Sequence, residues 1–252
     1  YWTSSKPCCR RCAASPMPDV LRIRADHHMG RLERTPSFDL NLDTPQKLQV
    51  EDTEDTIVIT SGTLSLVITK NPWSMTYKSG DRVLTESRGR DLALMKTAYK
   101  GDFYEVDGDL ENTYMREQLG IDVGELLYGT GERFTPFVKN GQSVESYNED
   151  GGTSTEQAYK NIPFFLSNKG YGVLVNHPER VSMEFGTENV TKTSFCVKGG
   201  SLDYFFFNGP TMKDVLMRYT DLSGKPALPA PWTFGLSRSS IPSIKLITVS
   251  SS

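Results

Sequence analysis

The chain has 252 residues, 37% hydrophobic and 23% charged, enough for one large β domain or two smaller ones with a sizeable core. Its formal net charge of −3 leaves no basic surplus to neutralise phosphates, which argues against a nucleic-acid partner. No window approaches the roughly 18 consecutive apolar residues of a membrane-spanning helix, so no membrane partner is expected.

Residues 1–18 hold three Cys and three Pro without periodicity and read as a disordered arm. Pro7-Cys8-Cys9-Arg10-Arg11-Cys12 is polar and basic where a signal peptide would be apolar. Localisation stays open, with a slight lean to the cytoplasm, because the chain begins at Tyr1 rather than Met. Cys196 stands far from the other three cysteines, so no disulfide framework is expected. Pairing Cys9 and Cys12 with His27 and His28 would make a zinc site, but adjacent histidines lack the spacing of about three to five residues that a two-Cys, two-His site needs. Neither a metal nor a cofactor is expected.

From Val20 the text becomes that of a sheet protein. Val20 to Arg24 alternates apolar and basic positions, as a half-exposed strand does. Thr56 to Thr60 and Thr63 to Thr69 are separated only by Ser61-Gly62, a hairpin signal. Trp73 to Tyr77, Lys78-Ser79-Gly80-Asp81 and Arg82 to Thr85 repeat it. Tyr171 to Val175 is a short apolar run suited to a buried strand, and Gly199-Gly200, joining Thr193–Lys198 to Ser201–Phe207, is a further hairpin signal. So many short, glycine-punctuated strands predict an antiparallel β-sandwich. Asn208-Gly209-Pro210-Thr211 opens a helix with Val215, Leu216, Tyr219 and Leu222 on one face, ended by Ser223-Gly224. Three prolines in 224–231 read as a stiff connection, and Trp232 to Leu236 as a new opening strand. Residues 237–252 are Ser-rich and patternless.

Chemistry-bearing residues concentrate between 128 and 163. Tyr128-Gly129-Thr130-Gly131-Glu132-Arg133 resembles a phosphate loop superficially. It lacks the Lys-Ser/Thr of a P-loop and the third glycine of a dinucleotide fingerprint, so a strand crossing with a Glu132–Arg133 ion pair is the simpler reading. Asp150-Gly151-Gly152 is a turn on composition alone. Against that stands the density of sugar-suited side chains around it: Tyr147, Asn148, Glu149, Asp150, Glu156, Gln157 and Tyr159. Carboxylates and amides grip hydroxyls, and aromatic rings cover the apolar face of a sugar. His177 reads as a structural loop residue, since no Gly-x-Ser-x-Gly elbow accompanies it.

From Gly129 to Gly235 the chain resembles the N-terminal region of glycoside hydrolase family 31, especially its α-xylosidase branch. The resemblance runs through Gly131–Gln142, Asn148–Phe164, Gly172–Pro178 and Pro226–Leu236, and extends more thinly back to Val20. It implies a galactose-mutarotase-like sandwich over 19–223, with 224–236 leading into a truncated (β/α)8 barrel, and non-matching ends at 1–18 and 237–252. Family members are retaining α-glycosidases whose two catalytic aspartates lie on the barrel, at strand ends about 5–5.5 Å apart. The resemblance stops before either aspartate, so no catalytic residue is expected in this chain, which reads as a fragment inactive alone. It assigns Asp150 as the substrate-binding residue, contacting α-linked xylosyl or glucosyl saccharides from a loop over the missing barrel. A stand-alone carbohydrate-binding module is the alternative. A mutarotase-type epimerase would need paired histidines, and the β-rich body offers His177 alone.

Overall fold

The computed structural model describes residues 10–27, 37–42, 45–96, 99–100, 103–104, 113–149 and 157–234. Period-two alternation of apolar and polar side chains gives each strand one face to bury, and the chain satisfies this by stacking antiparallel sheets. The first sheet contains β1 (Arg10–Ala14), β2 (Val20–Asp26), β12 (Leu127–Glu132), β14 (Lys160–Ser167), β15 (Tyr171–Val175) and β18 (Ser201–Asn208), ordered β1-β2-β18-β15-β14-β12. The second is a meander of β3 (Gln49–Asp52), β4 (Thr56–Ser61), β5 (Leu64–Lys70), β6 (Trp73–Ser79) and β7 (Arg82–Arg88). The third contains β8 (Ala93–Lys96), β11 (Thr113–Gly120), β13 (Ser143–Ser146), β16 (Val181–Phe185) and β17 (Lys192–Lys198), ordered β13-β16-β17-β11-β8. A two-residue ribbon, β9 (Tyr99–Lys100) with β10 (Phe103–Tyr104), stands apart.

The second and third sheets meet along β7 and β11, where Thr85 Oγ1 donates to the Gly120 carbonyl (2.8 Å) and Ser87 Oγ to Glu117 Oε1 (2.6 Å). Both pack on the inner face of the first sheet. Leu21, Ile23, Val173, Tyr204 and Phe206 from that face share one core with Ile59, Leu66 and Tyr77 of the second sheet and Leu119, Phe185 and Phe195 of the third. Phe206 lies stacked between Tyr77 (centroids 4.0 Å) and Tyr171 (5.2 Å), which ties the layers together.

The outer face of the first sheet is buried too. Val20, Phe164, Leu174, Phe205 and Phe207 form a second cluster with Val215 and Leu222 of α1 (Met212–Ser223). Burial on both faces explains why Tyr171–Val175 and Phe205-Phe206-Phe207 read as unbroken apolar runs instead of alternating ones. Thr211 caps α1, and its side chain and that of Asp214 make reciprocal bonds to each other's backbone. Asp19, at a φ of 63°, pins the helix to the β4–β5 turn: its carboxylate accepts from Thr63 N (2.6 Å), Thr63 Oγ1 (2.7 Å) and Arg218 (2.8 Å).

Two expectations are corrected. Part of the segment expected to be a disordered arm, Arg10–Ala14, is the edge strand β1, paired to β2 with Ala13 opposite Ile23; a partner strand supplies the order that its sequence lacks. Pro231–Phe234 forms a 3₁₀ turn, not an opening strand, with Trp232 and Phe234 about four-fifths exposed. No strand lies beside it among the described residues, and an extended segment gains its ladder bonds only from such a neighbour. The 237–252 tail lies outside the described residues.

Candidate functional site

β12 ends the first sheet and β13 ends the third, so the loops joining β12, β13 and β14 collect where two sheet edges meet. β12 crosses β14 with a register break between Gly129 and Gly131. Gly129, Thr130 and Gly131 all have positive φ, at 115°, 69° and 87°. A Cβ on Gly129 would stand 2.6 Å from the Phe164 carbonyl oxygen, and one on Gly131 closer still to that of Lys160. The two glycines therefore build a bulge against a neighbouring backbone, not a phosphate cradle. Glu132 pairs with Lys160 (3.0 Å), correcting the Glu132–Arg133 pair. Arg133 instead donates to the Glu145 carbonyl (3.0 Å) and the Asn161 side-chain oxygen.

The loop from 133 to 142 folds upon itself. Buried Lys139 donates to Thr135 Oγ1 (3.0 Å) and the Pro136 carbonyl (2.8 Å), and Gln142 Nε2 donates to the Val138 carbonyl (2.5 Å). Burial, helped by the charge of Arg133, holds the Lys139 ammonium below its ordinary pKa. Asn140 fastens the loop to β12, accepting from Leu127 N (2.8 Å) and donating to the Glu125 carbonyl (3.0 Å). Phe137, 80% exposed, leans on Tyr128 with centroids 5.3 Å apart.

After β13 the chain passes Tyr147, Asn148 and Glu149, and it returns at Gln157. These limbs form a neck. Asn148 and Ala158 make a parallel bridge, and Glu149 N donates to the Ala158 carbonyl (3.2 Å). Asn161 donates from its backbone to Asn148 Oδ1 (2.7 Å), and from Nδ2 to the carbonyls of Tyr147 (2.6 Å) and Ala158 (2.7 Å). Glu149 accepts from Arg180 (2.8 Å) and Gln157 Nε2 (3.0 Å), while the Arg180 guanidinium lies 4.7 Å from the Tyr147 ring centroid.

Asp150, the expected substrate-binding residue, and Glu156 lie outside the described residues. The other sugar-suited residues, Tyr147, Asn148, Glu149, Gln157 and Tyr159, do come together at the neck. Their roles differ from the sequence reading. Asn148 and Glu149 spend side-chain acceptors on holding the loop, and Arg180 lies over one face of Tyr147, which stays 44% exposed; Tyr159 is 66% exposed. Arg180 and Asn161 were not singled out by the sequence, because their partners are fixed by the β13–β16 pairing and the return into β14.

His177 follows β15, with Nε2 3.7 Å from Glu179. Burial lowers its pKa, and Glu179 opposes the shift. Cys196 is half-buried, its thiol pushed up to about 11 chiefly by burial. Among the described residues no group of three or more His, Cys, Asp or Glu could hold a metal ion. Cys8, Cys9 and His28, and the side chain of Cys12, lie outside that description. Among the described residues no helix is long and apolar enough to cross a membrane.

The family described as the glycosyl hydrolase 31 N-terminal galactose mutarotase-like domain matches residues 12–184, which contain the whole neck. An α-xylosidase, XylQ, of Lactiplantibacillus pentosus is 40% identical over 223 residues, covering 88% of this chain and 28% of that protein. An α-xylosidase of Emericella nidulans is 39% identical over 237 residues, covering 88% of this chain and 30% of that protein. The chain thus spans under a third of the length of these relatives. A Flavobacterium johnsoniae GH31 dextranase complexed with isomaltotriose shares the fold with a TM-score of 0.76 at 21% identity, over 93% of this chain and 29% of the other. A GH31 α-xylosidase from a soil metagenome complexed with xylose gives a TM-score of 0.66 at 18% identity, over 91% and 36%.

Proposed function

This chain belongs to the glycosyl hydrolase 31 N-terminal, galactose-mutarotase-like domain family, and from that premise we propose that it is the sugar-facing front domain of a retaining α-glycosidase. The substrates are α-linked xylosyl or glucosyl saccharides, and the loop carrying Asp150 forms one wall of their site. The hydrolytic aspartates belong to a catalytic barrel elsewhere in the whole protein, so the chain by itself does not turn over substrate.

The observation that carries this reading is the braced neck. The two limbs that flank residues 150–156, and so the Asp150 carboxylate in sequence, are held by Asn161, Gln157 and Arg180. A loop anchored in this way presents a carboxylate at lower entropic cost than a free one. A charge-assisted hydrogen bond from Asp150 to a sugar hydroxyl contributes about 1.5–3 kcal/mol, whereas lowering a glycosidic barrier takes about 8–23 kcal/mol. Asp150 therefore helps to place a substrate and does not supply the reaction.

Titration of the ¹⁵N-labelled chain with xylose, isoprimeverose and maltose tests the proposal. Amide shifts should concentrate between 147 and 161 and vanish in Asp150→Ala, with no release from aryl α-xylosides or α-glucosides. Shifts centred elsewhere, or none at any sugar concentration, would defeat the subsite reading. Enzyme-proportional hydrolysis would defeat the claim that chemistry lies outside the chain. Tight stoichiometric binding by calorimetry would favour a stand-alone carbohydrate-binding module instead.

A further inference from the structure

We propose that Arg180 is a positioning residue that sets the point from which Asp150 departs; this rests on the reading of the Asp150 loop as sugar-facing. β13 runs along the edge of the third sheet to Ser146, and the limb continues through Tyr147 and Asn148, which bridges Ala158, to Glu149; in extended chain every second residue shares a face. Arg180 works along one such face. Its guanidinium reaches Glu145 at 3.8 Å and Glu149 at 2.8 Å, and lies over the Tyr147 ring between them. The intervening residue, Asn148, is engaged by a different anchor, the backbone of Asn161. Two anchors thus hold the same limb through alternate residues.

Arg180 is well placed for this. It directly precedes β16, whose first residue, Val181, pairs with Ser146 of β13, so its backbone is fixed to the limb it grips. Glu149 passes the restraint across the neck, one carboxylate oxygen accepting from Arg180 and the other from Gln157 on the returning limb. Asp150 follows Glu149 directly in the chain. An arginine suits the position because a planar guanidinium can cover a ring and reach two carboxylates at once, whereas a lysine ammonium acts as a single point charge.

The test is amide hydrogen exchange and xylose titration on the full chain and on Arg180→Ala and Arg180→Lys. Exposed ion pairs and cation–π contacts are individually modest, so Arg180→Ala should speed exchange at the Glu149 amide by roughly 3- to 10-fold and weaken the xylose response by a similar factor. Amides of β15 and β18 and the melting temperature should not move, and Arg180→Lys should recover part of both losses. A merely structural role would instead lower the melting temperature and speed exchange throughout the sheets, which overturns the proposal. An unchanged Glu149 amide in Arg180→Ala overturns it whatever the sugar does. Faster Glu149 exchange in a chain whose wild type shows no sugar response would support the restraint and defeat the sugar-facing reading, so the two failures are distinguishable.

Discussion

Replacing Gly131 with alanine probes the bulge on which the candidate site is built, and Gly80→Ala supplies its control. Both glycines have positive φ, 87° and 56°, so each substitution imposes the left-handed penalty of about 1–2 kcal/mol, partly offset by about 0.4–1 kcal/mol from a stiffer unfolded chain. The surroundings differ. Nothing lies within 4 Å of a Cβ at Gly80, in the exposed β6–β7 turn. At Gly131 the new Cβ meets backbone on every side: the Lys160 carbonyl oxygen, Ile162 N at 2.8 Å and Asn161 Cα at 3.1 Å. No flexible side chain can swing away, so β14 itself must shift, at a cost of about 1–3 kcal/mol. Net losses should be about 1 kcal/mol for Gly80→Ala and about 2–4 kcal/mol for Gly131→Ala, read from urea midpoints at constant slope. Equal losses within about 0.5 kcal/mol would show that β14 yields freely and that the close approach does not require the glycine.

Three further outcomes follow from buried groups. His177 is kept neutral in the fold by burial, below its ordinary value of 6.5, so the unfolded chain binds more protons just below that pH. Its contribution is then fully present above pH 6.5 and is lost as pH falls, with a slope of at most about 1.4 kcal/mol per pH unit; His177→Gln should flatten melting temperature against pH in that window, and an unchanged profile would count against the assignment. Phe206→Ala removes the ring between Tyr77 and Tyr171 and should cost about 3–5 kcal/mol by denaturant unfolding, with Phe206→Leu clearly milder. For Asp19, burial raises the carboxyl pKa, but the bonds from Thr63 and Arg218 outweigh it and hold the group below 3.8. Its stabilisation is present above that value and lost as pH falls through the folded pKa, so Asp19→Asn should cost about 1–3 kcal/mol at neutral pH and much less in strong acid.

Local signals were read correctly where the physics is local. Gly62 and Gly80 adopt positive φ at the hairpin turns their dipeptides predict. Gly199 also has positive φ, but the hairpin its dipeptide predicts does not form: β17 belongs to the third sheet and β18 to the first, so Gly199-Gly200 carries the chain from one layer to the other. The run Thr211 to Ser223 carries its own cap and apolar stripe, so the helix could be read without knowing what it covers. β1 could not be read in this way: Arg10–Ala14 has no alternation, and its order comes from β2. Trp232-Thr233-Phe234 fails in the opposite sense, since aromatic and β-branched residues favour a strand only where there is a strand to join.

The candidate site divides along the same line. The density of amides, carboxylates and tyrosines between 147 and 159 is a local property, legible in the sequence. What braces that loop is not local: Arg180 is separated from Glu149 by 31 residues, and only the antiparallel pairing of β13 with β16 brings them together. Residues that looked like ligands, Asn148 and Glu149, turn out to be fasteners, because a loop leaving two sheet edges has polar backbone to satisfy and must be tied somewhere. Composition can show that a segment is rich in groups able to bind a sugar, but not which of them the fold has already engaged. The sugar-facing role proposed for this loop therefore centres on Asp150. Tyr159, 66% exposed, keeps an accessible ring at the same neck, so Tyr159→Ala should weaken the xylose response of the amides between 147 and 161 without loosening the Glu149 amide, and an unchanged response would exclude that ring from the site.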